Sequence, residues 1–130
     1  MRSGAAGFSL IEVLLALFVL GLGLLSVAPL FVHGTRAAAG SADFGKVGAA
    51  AVKEMELLRL ASYGSLAAGG SLNSNLTSFS DTTDPAVTLR WTIANNATPA
   101  TVKTINVVAI AKRVVSGPAK QIQLVTKRSK

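Results

Sequence analysis

Very few side chains in this sequence could carry covalent chemistry. There is no cysteine, which excludes a thiolate nucleophile, a zinc–thiolate site and a disulfide framework. The lone histidine, His33, sits beside Gly34 without a carboxylate near it in sequence, and reads as flanking a helix end rather than as a base. Asp81 and Asp84 lie in a polar stretch where a solvated turn is a better reading than a metal site. The chain is therefore read as a non-enzyme that takes no cofactor and no metal. The acidic residue that asks for an explanation is Glu12, five residues into an apolar run that opens at Phe8. A carboxylate in the middle of a bilayer costs about 2.5–3.5 kcal/mol on insertion scales, and less toward an end, so by default it is functional and has a partner. A carboxylate that simply reaches the headgroups is the plainer alternative.

The element that carries Glu12 accounts for the unusual composition. Half of the 130 residues are hydrophobic, 15% are charged, 5% are aromatic, and the mean hydropathy is +0.49. An average soluble domain has about a quarter of its residues charged. The surplus is concentrated in Phe8–Val32, within which Val13–Val32 is a run of 20 residues without a charge. As a helix those residues span about 30 Å, the thickness of a hydrocarbon core. The rest of a 13.3 kDa chain is too small to surround such a helix. A cleaved secretory signal would need a shorter apolar stretch, a more basic start and no reason to keep Glu12.

The stretch Gly7-Phe8-Ser9-Leu10-Ile11-Glu12-Val13, after the leader MRSGAAG, resembles the cleavage and assembly motif of type IV prepilins and type II secretion pseudopilins. The resemblance implies that a prepilin peptidase cuts between Gly7 and Phe8 on the cytoplasmic face and methylates the new Phe8 amine. The apolar segment is then kept. The resemblance further implies that Glu12 of one subunit neutralises the Phe8 amine of a neighbour during assembly. Pairing within one subunit is the alternative that the i,i+4 spacing permits. Gly21 and Pro29 fall where similar pilins carry a glycine and a proline, so the implied behaviour is a helix in the lone subunit that partly unwinds between them in a filament. Ordinary bilayer composition is the plainer account of Gly21, Gly23 and Pro29. The wording of the apolar run is similar to minor pilins and minor pseudopilins.

Beyond Val32, residues Phe44, Val47, Ala51, Met55 and Leu58 recur at helical spacing and form one face, with Lys46, Lys53 and Glu56 on the other. The expected order is a leader (1–7), a transmembrane and filament-core helix (8–32), an amphipathic continuation (33–62), a polar loop (63–85), and an antiparallel sheet with a basic C-terminus (86–130). An unbroken helix from Phe8 to about Ala61 is weakest at Gly34, Gly40, Gly45 and Gly48. Val87, Leu89, Trp91 and Ile93 alternate with polar residues as in a half-buried strand. Asn95–Pro99 reads as a turn, Thr101–Val115 as a central or bulged strand, Ser116–Pro118 as a second turn, and Gln121–Lys127 as a last strand. The fold class is α+β: one long helix on three or four antiparallel strands, as the pilin resemblance also implies.

Of 13 basic residues, eight follow Pro85 (Arg90, Lys103, Lys112, Arg113, Lys120, Lys127, Arg128 and Lys130), and no acid follows Asp84. A solvated sheet edge with a basic tail explains this asymmetry without a ligand. The competing reading is a pilus-associated nucleic-acid binder that contacts phosphates through Lys127, Arg128 and Lys130. Charge does not fix topology, because Arg2 precedes the apolar run and Arg36 follows it. The resemblance places the N-terminus in the cytoplasm and the chain in the inner membrane as a single-pass protein, and later in a periplasmic or extracellular filament. The partners it implies are the prepilin peptidase, other pilin or pseudopilin subunits, the inner-membrane assembly platform and, before assembly, membrane lipid.

Overall fold

The computed structural model describes residues 7–96, 101–114 and 117–130. The chain divides into two compact units, Met1–Ala37 and Ala38–Lys130. A single helix, α1 (Leu10–Leu60), contributes its first part to the first unit and its remainder to the second. Leucine and alanine, both strong helix formers, dominate it. It starts where the Ser9 carbonyl accepts the Glu12 and Val13 amides at 3.0 and 3.2 Å. The glycines between Gly34 and Gly48 do not interrupt it, and neither does Pro29. His33 therefore lies inside the helix, which corrects its reading as a residue at a helix end. In the first unit every described residue is exposed except the half-buried Gly21.

The second unit holds the core. Val47, Ala51 and Met55 on α1 are buried, and Leu58 is half-buried. Phe44, expected on the same stripe, is 49% exposed: the stripe is buried only from Val47 onward, where the sheet covers it. Gly48 belongs to this contact, since a Cβ there would meet Ile122 Cδ1 at 3.3 Å. The helix approaches the sheet closely because that position has no side chain.

The connection expected as a loop over 63–85 contains more pairing than its composition suggested. A 3₁₀ turn (Tyr63–Ser65) leads to two short strands, β1 (Gly69–Gly70) and β2 (Ser80–Asp81). Both pair antiparallel with β3 (Val87–Asn95), β1 at Thr92 and Ile93, β2 at Leu89 and Arg90. The sheet thus has five strands rather than three or four, because two-residue strands are too short to show alternation. Gly70 has φ +98°, and a Cβ there would sit 2.2 Å from the Trp91 carbonyl oxygen, so β1 requires glycine.

The rest is a meander of β3, β4 (Val102–Ala111) and β5 (Gln121–Ser129), with order β1-β3-β4-β5. The β3–β4 register runs without a bulge from Val87 opposite Ala111 to Asn95 opposite Lys103. Apolar residues on both faces of β4 reflect its position between β3 and β5. Alternate residues put Leu89, Ile93, Ile105, Val107 and Ala109 into the helix-facing core. Each fully buried leucine, isoleucine or valine side chain among them contributes about 1.5–3 kcal/mol. β4 ends at Ala111, short of the expected Val115, where Lys112 and Arg113 turn to other partners. β5 extends two residues past Lys127. The turn expected at Asn95–Pro99 begins later, since Asn95 is still in β3 and the Asn96 amide donates to the Val102 carbonyl at 2.9 Å; positions 97–99 lie outside the described residues, as do Val115 and Ser116.

Candidate processing and assembly segment

Gly7, Phe8 and Ser9 precede the helix in non-helical backbone, and Phe8 is 82% exposed. The Gly7–Phe8 peptide bond therefore belongs to exposed chain outside the helix. Glu12 follows in the first turn of α1, exposed, and no hydrogen bond to its carboxylate is present among the described residues. A carboxylate there complements the positive end of the helix dipole. No described cation within this chain approaches it, so the intrasubunit partner for Glu12 would have to be the Phe8 amine created by cleavage.

Gly21 and Pro29, the positions expected to loosen, both lie in continuous helix. Between them Ser26 Oγ donates to the Gly23 carbonyl at 2.7 Å, and beyond Pro29 the Thr35 Oγ1 donates to the Val32 carbonyl at 3.0 Å. Such bonds back into the preceding turn satisfy hydroxyls where lipid would offer no partner. The most apolar 18-residue window of α1 has a mean hydropathy of 2.6 and is 0% buried, so by length and composition the helix can cross a membrane.

The basic residues are deployed otherwise than composition suggested. Arg128 Nη1 donates to the Leu58 carbonyl at 3.3 Å and to that of Ala61. Lys103, its register partner on β4, donates to the Tyr63 and Leu66 carbonyls at 3.0 and 2.6 Å and lies over the Tyr63 ring at 4.4 Å. Arg90 donates to Asn75 Oδ1 at 2.7 Å and to the Leu72 carbonyl at 3.1 Å. Lys112 Nζ donates to the carbonyls of Thr82 and Asp84 at 2.7 and 2.6 Å. Four cations thus fasten residues 58–84 to the sheet by their carbonyl and amide oxygens, which sequence reasoning missed because it read the basic residues as a solvated edge or as phosphate contacts. Of the three residues proposed for phosphate contact, Arg128 is half-buried on the helix end, Lys127 alternates to the opposite face, and Lys130 is exposed beyond β5. The structure does not bring them together.

The remaining acids make turns. Asp81 Oδ1 accepts the Thr83 amide at 2.8 Å, and Asp84 Oδ1 accepts the Ala86 and Val87 amides at 2.7 and 3.2 Å. Hydrogen bonds from the Thr83 side chain and backbone hold the Asp81 carboxyl below its ordinary value. Burial first, and the Asp81 charge second, push the Glu54 carboxyl up, against the opposing pull of Lys53. No group of three metal-ligating side chains occurs among the described residues.

No curated protein and no solved structure matches this chain. A family model does match the segment just described, over residues 2–28, and its description is the prokaryotic N-terminal methylation motif. The match spans a Gly7–Phe8 bond in exposed, non-helical chain and a carboxylate in the first turn of an unburied apolar helix, so the chain carries the N-terminal methylation motif, the class III signal of type IV pilins and pseudopilins.

Proposed function

We propose that the chain is a minor pilin or pseudopilin, made as an inner-membrane precursor with its N-terminus in the cytoplasm. A prepilin peptidase cuts after Gly7 and methylates Phe8, and the mature subunit joins a type IV pilus or a type II secretion filament. The apolar part of α1 exchanges lipid for neighbouring subunits, with Glu12 meeting the Phe8 amine of one of them. An unpaired buried ion costs several kcal/mol, so the pair favours the axial register that brings the two charges together. The subunit performs no catalysis of its own; its chemistry is confined to being processed and to noncovalent assembly on the inner-membrane platform.

The observation that carries this reading is the coincidence of the matched motif with a helix that is 0% buried across its most apolar window. A secretory signal would be discarded, whereas this helix continues directly into the residues that cover the sheet. Mass spectrometry of the N-terminal peptide from the membrane fraction tests it. The expected peptide begins at N-methylated Phe8; an intact Met1, or a start beyond Val32, refutes the proposal.

A further inference from the structure

We propose that the free edge of β5 takes an extended segment of an acidic partner protein as one more antiparallel strand. Among the described residues β5 pairs with β4 alone and closes one side of the sheet. Beyond its two ends the Ala111 amide donates to the Lys120 carbonyl at 2.8 Å, and the Lys130 amide donates to the Thr101 carbonyl at 3.0 Å. The register between them is unbroken, from Gln121 opposite Ile110 to Ser129 opposite Val102. Bonded and non-bonded pairs alternate in an antiparallel ladder, so the even-numbered residues of β5 turn their N–H and C=O groups to β4. Gln121, Gln123, Val125, Lys127 and Ser129 turn theirs outward, and the same residues are exposed. An edge of 9 residues is about 30 Å long. It carries neither proline nor bulge, two of the devices that stop a further strand from adding.

The side chains along this edge select its occupant. Lys127 is the one charged residue at the outward positions, and it has no ion pair among the described residues. Lys120 and Lys130, both exposed, flank the strand. No acid follows Asp84, so β3, β4 and β5 hold no carboxylate that could answer these cations. A second copy of β5 likewise offers no carboxylate and adds only like charge, which cross-strand neighbours disfavour. A foreign strand with a carboxylate opposite Lys127 meets the opposite sign. Val125, two residues before Lys127, is 60% exposed at the middle of the edge. On the helix-facing side Ile122 and Leu124 pack against the core but stay half-buried. Apolar residues opposite these three positions complete their burial. Main-chain bonds then supply affinity and the alternating side chains supply specificity.

The probe is the fluorescein-labelled peptide Glu-Ser-Thr-Glu-Thr-Val-Val-Thr-Val. In the antiparallel register its second glutamate lies opposite Lys127 and its valines lie opposite Val125, Leu124 and Ile122. Binding to the full chain in neutral detergent is read by fluorescence anisotropy. The expected result is saturable binding that weakens with salt and falls roughly tenfold in Lys127→Glu. Val125→Pro abolishes it, because proline removes an outward N–H and leaves the ladder to β4 intact; an unchanged thermal melt shows that both variants stay folded. N-methylation of the peptide valine opposite Val125 also abolishes binding, whereas N-methylation of the valine opposite Leu124, whose N–H points away from β5, does not. Absence of saturable binding overturns the proposal. Equal binding of the two N-methylated peptides overturns it by reducing the contact to charge alone. Self-association of the protein in detergent that Val125→Pro removes overturns it by giving the edge to a second copy. None of these outcomes bears on the Gly7–Phe8 bond, so the proposed processing is tested separately.

Discussion

Glu54 and Asp81 carry carboxyls displaced in opposite directions, and the consequences for stability run opposite ways with pH. Burial raises Glu54 above its ordinary value of 4.5, so folding favours its protonated form. Stability from this residue therefore rises as pH falls through the raised value and levels off below 4.5. Hydrogen bonds lower Asp81 from 3.8, so its contribution is present above that value and is lost as pH falls through the lowered one. Glu54→Gln is expected to raise stability at neutral pH by a few tenths of a kcal/mol after solvent screening, and to abolish the gain on moving toward pH 5. Thermal melts at the two pH values check both effects. Glu12 is a different case, since on the proposed reading its partner belongs to another subunit. Glu12→Ala is expected to leave processing and membrane insertion intact while filament incorporation falls below detection, read by immunoblots of sheared filaments beside membranes. Normal incorporation of that variant removes Glu12 from assembly.

At the scale of elements, the C-terminal end of α1 is closed by strands rather than by its own sequence. Arg128 and Lys103, paired across β4 and β5, supply donors to carbonyls between Leu58 and Leu66 that the helix leaves without partners. Hydrogen bonds from charged groups contribute about 1.5–3 kcal/mol, so Arg128→Ala is expected to destabilise the fold by that amount. Lys127→Ala, on an exposed side chain of the same strand, is expected to change stability by less than about 0.5 kcal/mol. Urea titration of the two variants checks the contrast. The elements themselves were largely legible: the apolar run followed by helical spacing indicated α1, period-two alternation indicated β3, and turn residues bounded the later strands. What escaped was short or nonlocal. Gly69 and Gly70 look like loop residues until the Trp91 carbonyl is seen against them. Phe44 obeys helical spacing but lies beyond the sheet's cover, and spacing alone does not say how far a partner surface extends. The N-terminal methylation motif was legible because its requirements are local, whereas the roles of the sheet's cations were not, because most of their acceptors are main-chain oxygens up to 70 residues away.

The whole molecule joins two units with opposite solvent preferences. The described residues of Met1–Ala37 form a long apolar surface and include none that is buried, while Ala38–Lys130 holds all of the buried hydrophobic residues described. A chain beginning at Ala38 is therefore expected to be monodisperse in aqueous buffer and to unfold cooperatively, whereas the full chain self-associates unless detergent or lipid is present. Size-exclusion chromatography and a thermal melt decide this; aggregation of the shorter chain would show that its core is insufficient alone. The closure of α1 by Arg128 also sets an order of events during synthesis. The residue that completes the helix terminus is made 70 positions after Leu58, at ~5–20 residues per second, so for several seconds the nascent helix has an unfinished end. Its final turn becomes secure only once the last strand has been laid down, which makes that strand the latch of the fold and the early helix a candidate client for chaperones.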